Sequence, residues 1–174
     1  MKKLICLLSL VVASVLAQAQ VVPSLFFATA PPFIDGFDAM PAGLYTSFPM
    51  FSGNGVAART TATGALVVGN PGGLALTAPN YLTPTNTNLT IKMVTPKTAF
   101  GGFFMLAPGS IGPVSIRFSF FDPLGILIGS VVVPCPAAWS WIGWTTTPNW
   151  QRVQIDAITT STAGAIAMDE FRVA

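Results

Sequence analysis

Between residues 113 and 133 the sequence reads PVSIRFSFFDPLGILIGSVVV, and this stretch limits the fold more than any other. Val114, Ile116, Phe118 and Phe120 recur at every second position, with Ser115, Arg117 and Ser119 between them. Successive side chains on a β-strand point to opposite faces, so the alternation predicts a strand with one buried and one wet face. Asp122, Pro123 and Gly125 then stand where a type I turn favours them. The apolar return that follows completes a predicted antiparallel hairpin.

The rest of the chain speaks the same language. No long stretch has helical apolar spacing, and fifteen prolines and sixteen glycines punctuate short runs rich in Val, Ile, Phe and Thr. Further strands are predicted over residues 33–37, 44–51, 65–69, 73–78, 88–95, 99–107, 138–146, 150–158 and 165–173. The Thr/Asn-rich stretch 83–90 reads as a loop entering a strand. About ten strands at this spacing predict one all-β domain, an antiparallel sandwich or barrel.

The first residues read as a secretory signal peptide. Lys2 and Lys3 form a basic start, residues 4–16 an apolar stretch, and Ala17-Gln18-Ala19 an A-x-A cleavage site. The apolar stretch is shorter than the roughly 20 residues a membrane helix needs. The expectation is therefore a leader over residues 1–19, a mature domain over 20–174, and no transmembrane anchor after cleavage. The expected setting is secreted or periplasmic.

Losing Lys2 and Lys3 reduces the eight basic residues to six, which balance the six acidic ones. A neutral chain without a basic run argues against nucleic acid as a partner, because phosphate neutralisation needs clustered Lys and Arg. The few surface charges favour self-association or adhesion. Cys135 is the one thiol left in the mature chain. It reads as a partly buried small apolar residue, with intermolecular pairing as the alternative.

Histidine is absent. That removes His-based triads, His-ligated zinc and a His general base. Glycoside hydrolysis needs only two carboxylates and stays as a minor alternative, but the chain reads as a non-enzyme. Four tryptophans, Trp139, Trp141, Trp144 and Trp150, fall within twelve positions. On a strand Trp139 and Trp141 share one face and Trp144 takes the other. They are candidates for stacking sugar rings, although most are expected in the core because indoles bury much area. Trp150, in the apparent turn TPNW, is the one expected to be exposed.

Several motifs together carry a family resemblance. FIDGFDAMPAGLY, FSFFDPLGILIGS, WSWIGWTTTPNWQRVQI and the closing AIAMDEFRV resemble the opening, hairpin, aromatic and final strands of bacterial exported domains. These occur among exosortase-sorted (PEP-CTERM) proteins and carbohydrate-binding, galactose-binding-like modules. The resemblance implies a two-sheet jelly-roll β-sandwich that binds a cell-surface or extracellular polysaccharide. A self-associating component of the envelope or biofilm matrix is the alternative. The sorting tail of those proteins does not appear before Ala174, so release from the inner membrane is the expectation.

The same resemblance implies that first and last strands lie side by side, where related domains hold a structural calcium. Asp35, Asp38, Asp169 and Glu170 are the candidate ligands for that hard cation. Asp169 and Glu170 are adjacent, so both could serve only at a bulge or a strand end.

Overall fold

The period-two stretch forms the hairpin its pattern requires. The computed structural model describes residues 20–24, 33–70, 73–76, 80–85, 88–110, 114–159 and 166–174; the expected leader over 1–19 lies outside them. In chain order the strands are β1 (Gln20–Pro23), β2 (Phe33–Asp35), β3 (Gly43–Tyr45), β4 (Ser47–Met50), β5 (Gly55–Arg59) and β6 (Ala65–Gly69). They continue as β7 (Tyr81–Thr85), β8 (Leu89–Leu106), β9 (Val114–Phe121), β10 (Leu127–Pro134), β11 (Ser140–Thr159) and β12 (Ile166–Val173). A 3-10 turn at Phe51–Gly53 is the one helical element among the described residues. No helix among them is long and apolar enough to cross a membrane.

Val114, Ile116, Phe118 and Phe120 of β9 are all buried, and Arg117 is exposed. Asp122 Oδ1 closes the hairpin by accepting the N–H groups of Leu124 (2.9 Å) and Ile126 (2.8 Å). Gly125 takes the positive φ of +82° that this tight return requires.

All twelve strands belong to one antiparallel hydrogen-bonded sheet, which folds over into two layers because β8 and β11 serve both. In the first layer, residues 152–155 of β11 pair with residues 89–92 of β8. This half continues through β9 to β10 on one side and through β5 to β4 on the other. In the second layer, residues 140–145 of β11 pair with residues 99–104 of β8. That half carries β1 at one flank and β12, β7, β6 and β3 at the other, with β2 also on β12. The result is the expected all-β jelly-roll sandwich, with twelve described strands rather than ten.

Inward residues of the two layers interdigitate. Leu89, Ile91 and Met93 of β8 and Val153 and Ile155 of β11 face Phe100, Phe104 and Trp144 across the interior. Phe100 is the aromatic hub, with ring centroids of Phe118, Phe120, Trp150 and Phe171 within 5.4–6.3 Å. Each large apolar side chain withdrawn from water in this way contributes about 1.5–3 kcal/mol.

Some expected elements change. Residues 73–76 of the predicted 73–78 strand form a bend and coil; 77–78 lie outside the described residues. The separate strands predicted at 88–95 and 99–107 are one continuous β8, and those at 138–146 and 150–158 are one β11. The stretch read as a loop from residue 83 begins inside β7, where Pro84 pairs opposite Leu66. Proline is tolerated there because β12 pairs with β7 at Leu82 alone.

Candidate functional site

Period two also decides what the outer faces carry. On the first layer, Arg117, Ser119 and Phe121 of β9 lie opposite Asp156, Gln154 and Arg152 of β11. Gln154 and Arg152 in turn lie opposite Thr90 and Lys92 of β8. Three of the six basic residues expected in the mature chain thus meet on one sheet face, although they are far apart in sequence. No short motif marks this cluster; it exists only once the register is set.

Part of the cluster is internally satisfied. Asp156 is 3% exposed. Its Oδ2 accepts Arg117 Nε at 2.9 Å and its Oδ1 accepts Gln154 Nε2 at 2.8 Å. The hydroxyls of Ser119 and Ser130 share a hydrogen bond of 2.7 Å. Buried carboxylates need such partners, since desolvation alone would neutralise them.

The other part is not. The Arg152 guanidinium lies 3.9 Å from the Phe121 ring centroid, a cation–π contact that helps fix its position. Its Nε is buried without a hydrogen-bond partner. Lys92 stands directly across from it, and neither has an ion-pair partner among the described residues. Beside them lies a groove of about 240 Å³, bounded by Gln151 and by the 122–125 turn. This face offers planar hydrogen-bonding groups and two cations without ion-pair partners.

Among the tryptophans, Trp150 is placed differently from the expectation, while the packing of Trp144 and the shared face of Trp139 and Trp141 agree with it. Trp150 is 0% exposed, wedged between Phe100 and Phe120 at ring-centroid distances of 5.8 and 6.0 Å. The apparent turn TPNW is a register shift inside β11, and the strand carries the indole inward, where it offers no face to a ligand. Trp144 is likewise buried, against Phe118. Trp139 and Trp141 lie half-buried over the outer side of the second layer. Their indole N–H groups tie down other segments: Trp139 donates to the Leu74 carbonyl at 2.6 Å, and Trp141 to the Ser24 carbonyl at 3.1 Å. Gly101 makes room for Trp141, since a Cβ there would stand 2.7 Å from indole Cη2.

The four carboxylates expected around calcium do not converge. Among the described residues no three acidic, His or Cys side chains form a metal-holding group. Strands β2 and β12 do lie side by side, with Asp35 opposite Phe171. Yet the Asp35 carboxylate accepts the N–H groups of Phe37 (3.2 Å) and Phe51 (2.8 Å), ordering the chain after β2. Asp38 is exposed. Asp169 is 0% exposed and accepts from Leu76, whereas Glu170 pairs with Arg172 at 2.7 Å. The adjacent acids separate because Glu170 sits at a bulge, with φ +49°. That extra residue shifts the alternation by one, so that Ile166 and Met168 before it and Phe171 and Val173 after it all reach the core.

No protein-family model matches the sequence, and no curated protein matches it. The fold has solved counterparts. The CBM22-1 xylan-binding domain of Paenibacillus barcinonensis Xyn10C is similar with a TM-score of 0.54 and 12% identity, over 85% of this chain and 97% of that one. The K2 cleaved adhesin domain of Lys-gingipain gives 0.55 and 10%, over 82% and 98%. A DUF4465 family protein from Bacteroides caccae gives 0.52 and 13%, over 89% and 100%. The chain therefore shares the β-sandwich fold of these domains.

Proposed function

We propose that this chain is an exported, non-catalytic domain that binds a cell-surface or extracellular polysaccharide along the outer face of its first layer. The observation that carries the reading is the row Arg152–Lys92 beside Gln154 and Thr90 on one outer sheet face, a set of hydrogen-bonding side chains with the Phe121 ring packed against the Arg152 guanidinium. Sugars present hydroxyls edge-on and apolar C–H groups face-on, and sites for them combine these two kinds of contact. The likeness of the fold to a xylan-binding domain supports the same reading. A catalytic role has less support, because the one fully engaged carboxylate on this face, Asp156, is committed to Arg117 and Gln154.

Affinity electrophoresis of the chain through gels containing individual polysaccharides tests this. Retardation by at least one glycan, reduced by Gln154→Ala and unchanged by Trp141→Ala on the opposite outer face, is the expected outcome. Unretarded migration through every glycan would remove the reading.

Self-association is a second reading, favoured by the β9–β10 turn, where Leu124 and Ile126 are 83% and 62% exposed. Sedimentation that depends on concentration, and loses that dependence in Leu124→Ser, would support it.

A further inference from the structure

The unpaired cations on the proposed carbohydrate face set the class of sugar. Lys92 and Arg152 are a directly opposed cross-strand pair, which brings their Cβ atoms within about 4.5–5.5 Å. Like charges so placed repel and destabilise the sheet. Elsewhere the chain compensates its cations. Arg117 pairs with Asp156 and Arg172 with Glu170, Lys97 lies 4.1 Å from the Phe33 ring centroid, and Arg59 donates to the Gly64 carbonyl. Lys92 has no such partner among the described residues, and Arg152 has no ion-pair partner and only the Phe121 ring at 3.9 Å; both border the groove under the 122–125 turn.

Asp122 is the one acidic residue lining the same groove. Its Oδ1 is occupied by the turn N–H groups of Leu124 and Ile126. The Arg152 guanidinium is held against the Phe121 ring, while its Nε is buried with nothing to donate to. A planar, pre-oriented guanidinium with an adjacent ammonium is suited to a carboxylate, which can accept two parallel N–H bonds.

We propose that the Lys92–Arg152 pair is a subsite for a carboxylated sugar, so that the ligand is a uronic-acid-containing polysaccharide. This inference rests on the carbohydrate reading above. The chain's overall charge balance favours an acidic glycan over a nucleic acid, whose closely spaced phosphates call for a broader basic surface.

The test compares polygalacturonate, the same polymer fully methyl-esterified, neutral xylan and single-stranded DNA as ligands for the full chain in affinity gels and titration calorimetry. The expected result is binding of polygalacturonate that weakens with added salt, with at least about tenfold lower affinity for the methyl ester. Lys92→Gln, at an exposed position, and Arg152→Gln should each reduce polygalacturonate affinity by about tenfold or more while retaining cooperative melting. If Arg152→Gln fails to melt cooperatively, Lys92→Gln alone decides. Equal binding of the ester and the acid, or binding of xylan alone, would overturn the uronate subsite and leave the carbohydrate reading standing. Binding of no glycan would overturn both, as would preferential binding of DNA.

Discussion

The side-chain Oδ2 of Asp169 accepts the backbone N–H of Leu76 at 3.1 Å, across 93 positions of sequence. Asp169 lies on the outer side of the second layer yet is fully buried, because residues 73–76 pass over it. Asn70 Oδ1 holds the same segment through the Ala75 N–H at 2.9 Å, and Trp139 holds it through the Leu74 carbonyl. Beneath it a small second core gathers Tyr81, Met105, Ala107 and Ala167. Asp169→Ala removes the acceptor of the Leu76 and Glu170 N–H groups and opens a gap at a fully buried position. It should lower stability by about 2–3 kcal/mol in urea unfolding and speed proteolytic nicking near residues 73–76.

Glu170 occupies a left-handed conformation that an L side chain adopts at some energetic cost. Its ion pair with Arg172 is partly exposed and therefore weak. Glu170→Gly should be within about 0.5 kcal/mol of the parent, whereas Glu170→Val should destabilise by about 1–2 kcal/mol. A larger loss for the glycine variant, measured by denaturant titration, would show that the ion pair matters more than the backbone.

Calcium should leave the melting temperature unchanged. The carboxylate oxygens of Asp35 and Asp169 already accept backbone N–H groups, and the Glu170 carboxylate is turned toward Arg172. Thermal unfolding with millimolar calcium and with chelator checks this, and a clear upward shift with the ion would mean that these groups rearrange around it.

Gly101 and Gly102 are adjacent for two separate reasons. A Cβ on Gly101 would run into Trp141 on the outside, and one on Gly102 would stand 2.5 Å from Phe171 Cδ1 on the inside. Gly101→Ala should destabilise by about 1–3 kcal/mol through overpacking. Trp141→Ala in the same chain should relieve part of that loss, which a double-mutant cycle would detect as coupling.

Cys135 packs partly buried against the core, and burial pushes its thiol up to about 11 from 9.0. The folded state therefore holds the proton more tightly than the unfolded one. The associated stability is fully present below pH 9 and is lost as pH rises toward about 11. Two pH units imply roughly a hundredfold less thiolate in the native protein near neutrality. Alkylation by iodoacetamide at pH 8 should accordingly be far slower in buffer than in denaturant.

The hairpin at 114–134 and β6 were legible because each alternates or sits between clear turn residues, and local pattern suffices there. The continuity of β8 through Pro96 and of β11 through Pro148 was not legible. Proline and asparagine suggested turns, whereas both strands run on past those points while the register between them shifts. Trp150 was misplaced for the same reason. The Arg152, Lys92 and Gln154 face was invisible because its members come from strands some sixty residues apart, and only the register unites them. Adjacent Asp169 and Glu170 suggested a metal, but tertiary structure spends one on a loop and the other on a bulge.

The alternation along β9 and along the paired segments 89–92 of β8 and 152–155 of β11 has an evolutionary consequence. Ile91, Phe118, Phe120, Val153 and Ile155 hold the layers together, while Lys92, Arg117, Arg152 and Gln154 interleave with them on the outer side. Adaptation to a new partner can thus proceed by exchanging outward positions while every inward one is conserved, so that lineages sharing this scaffold can diverge in what they recognise without renegotiating how they fold.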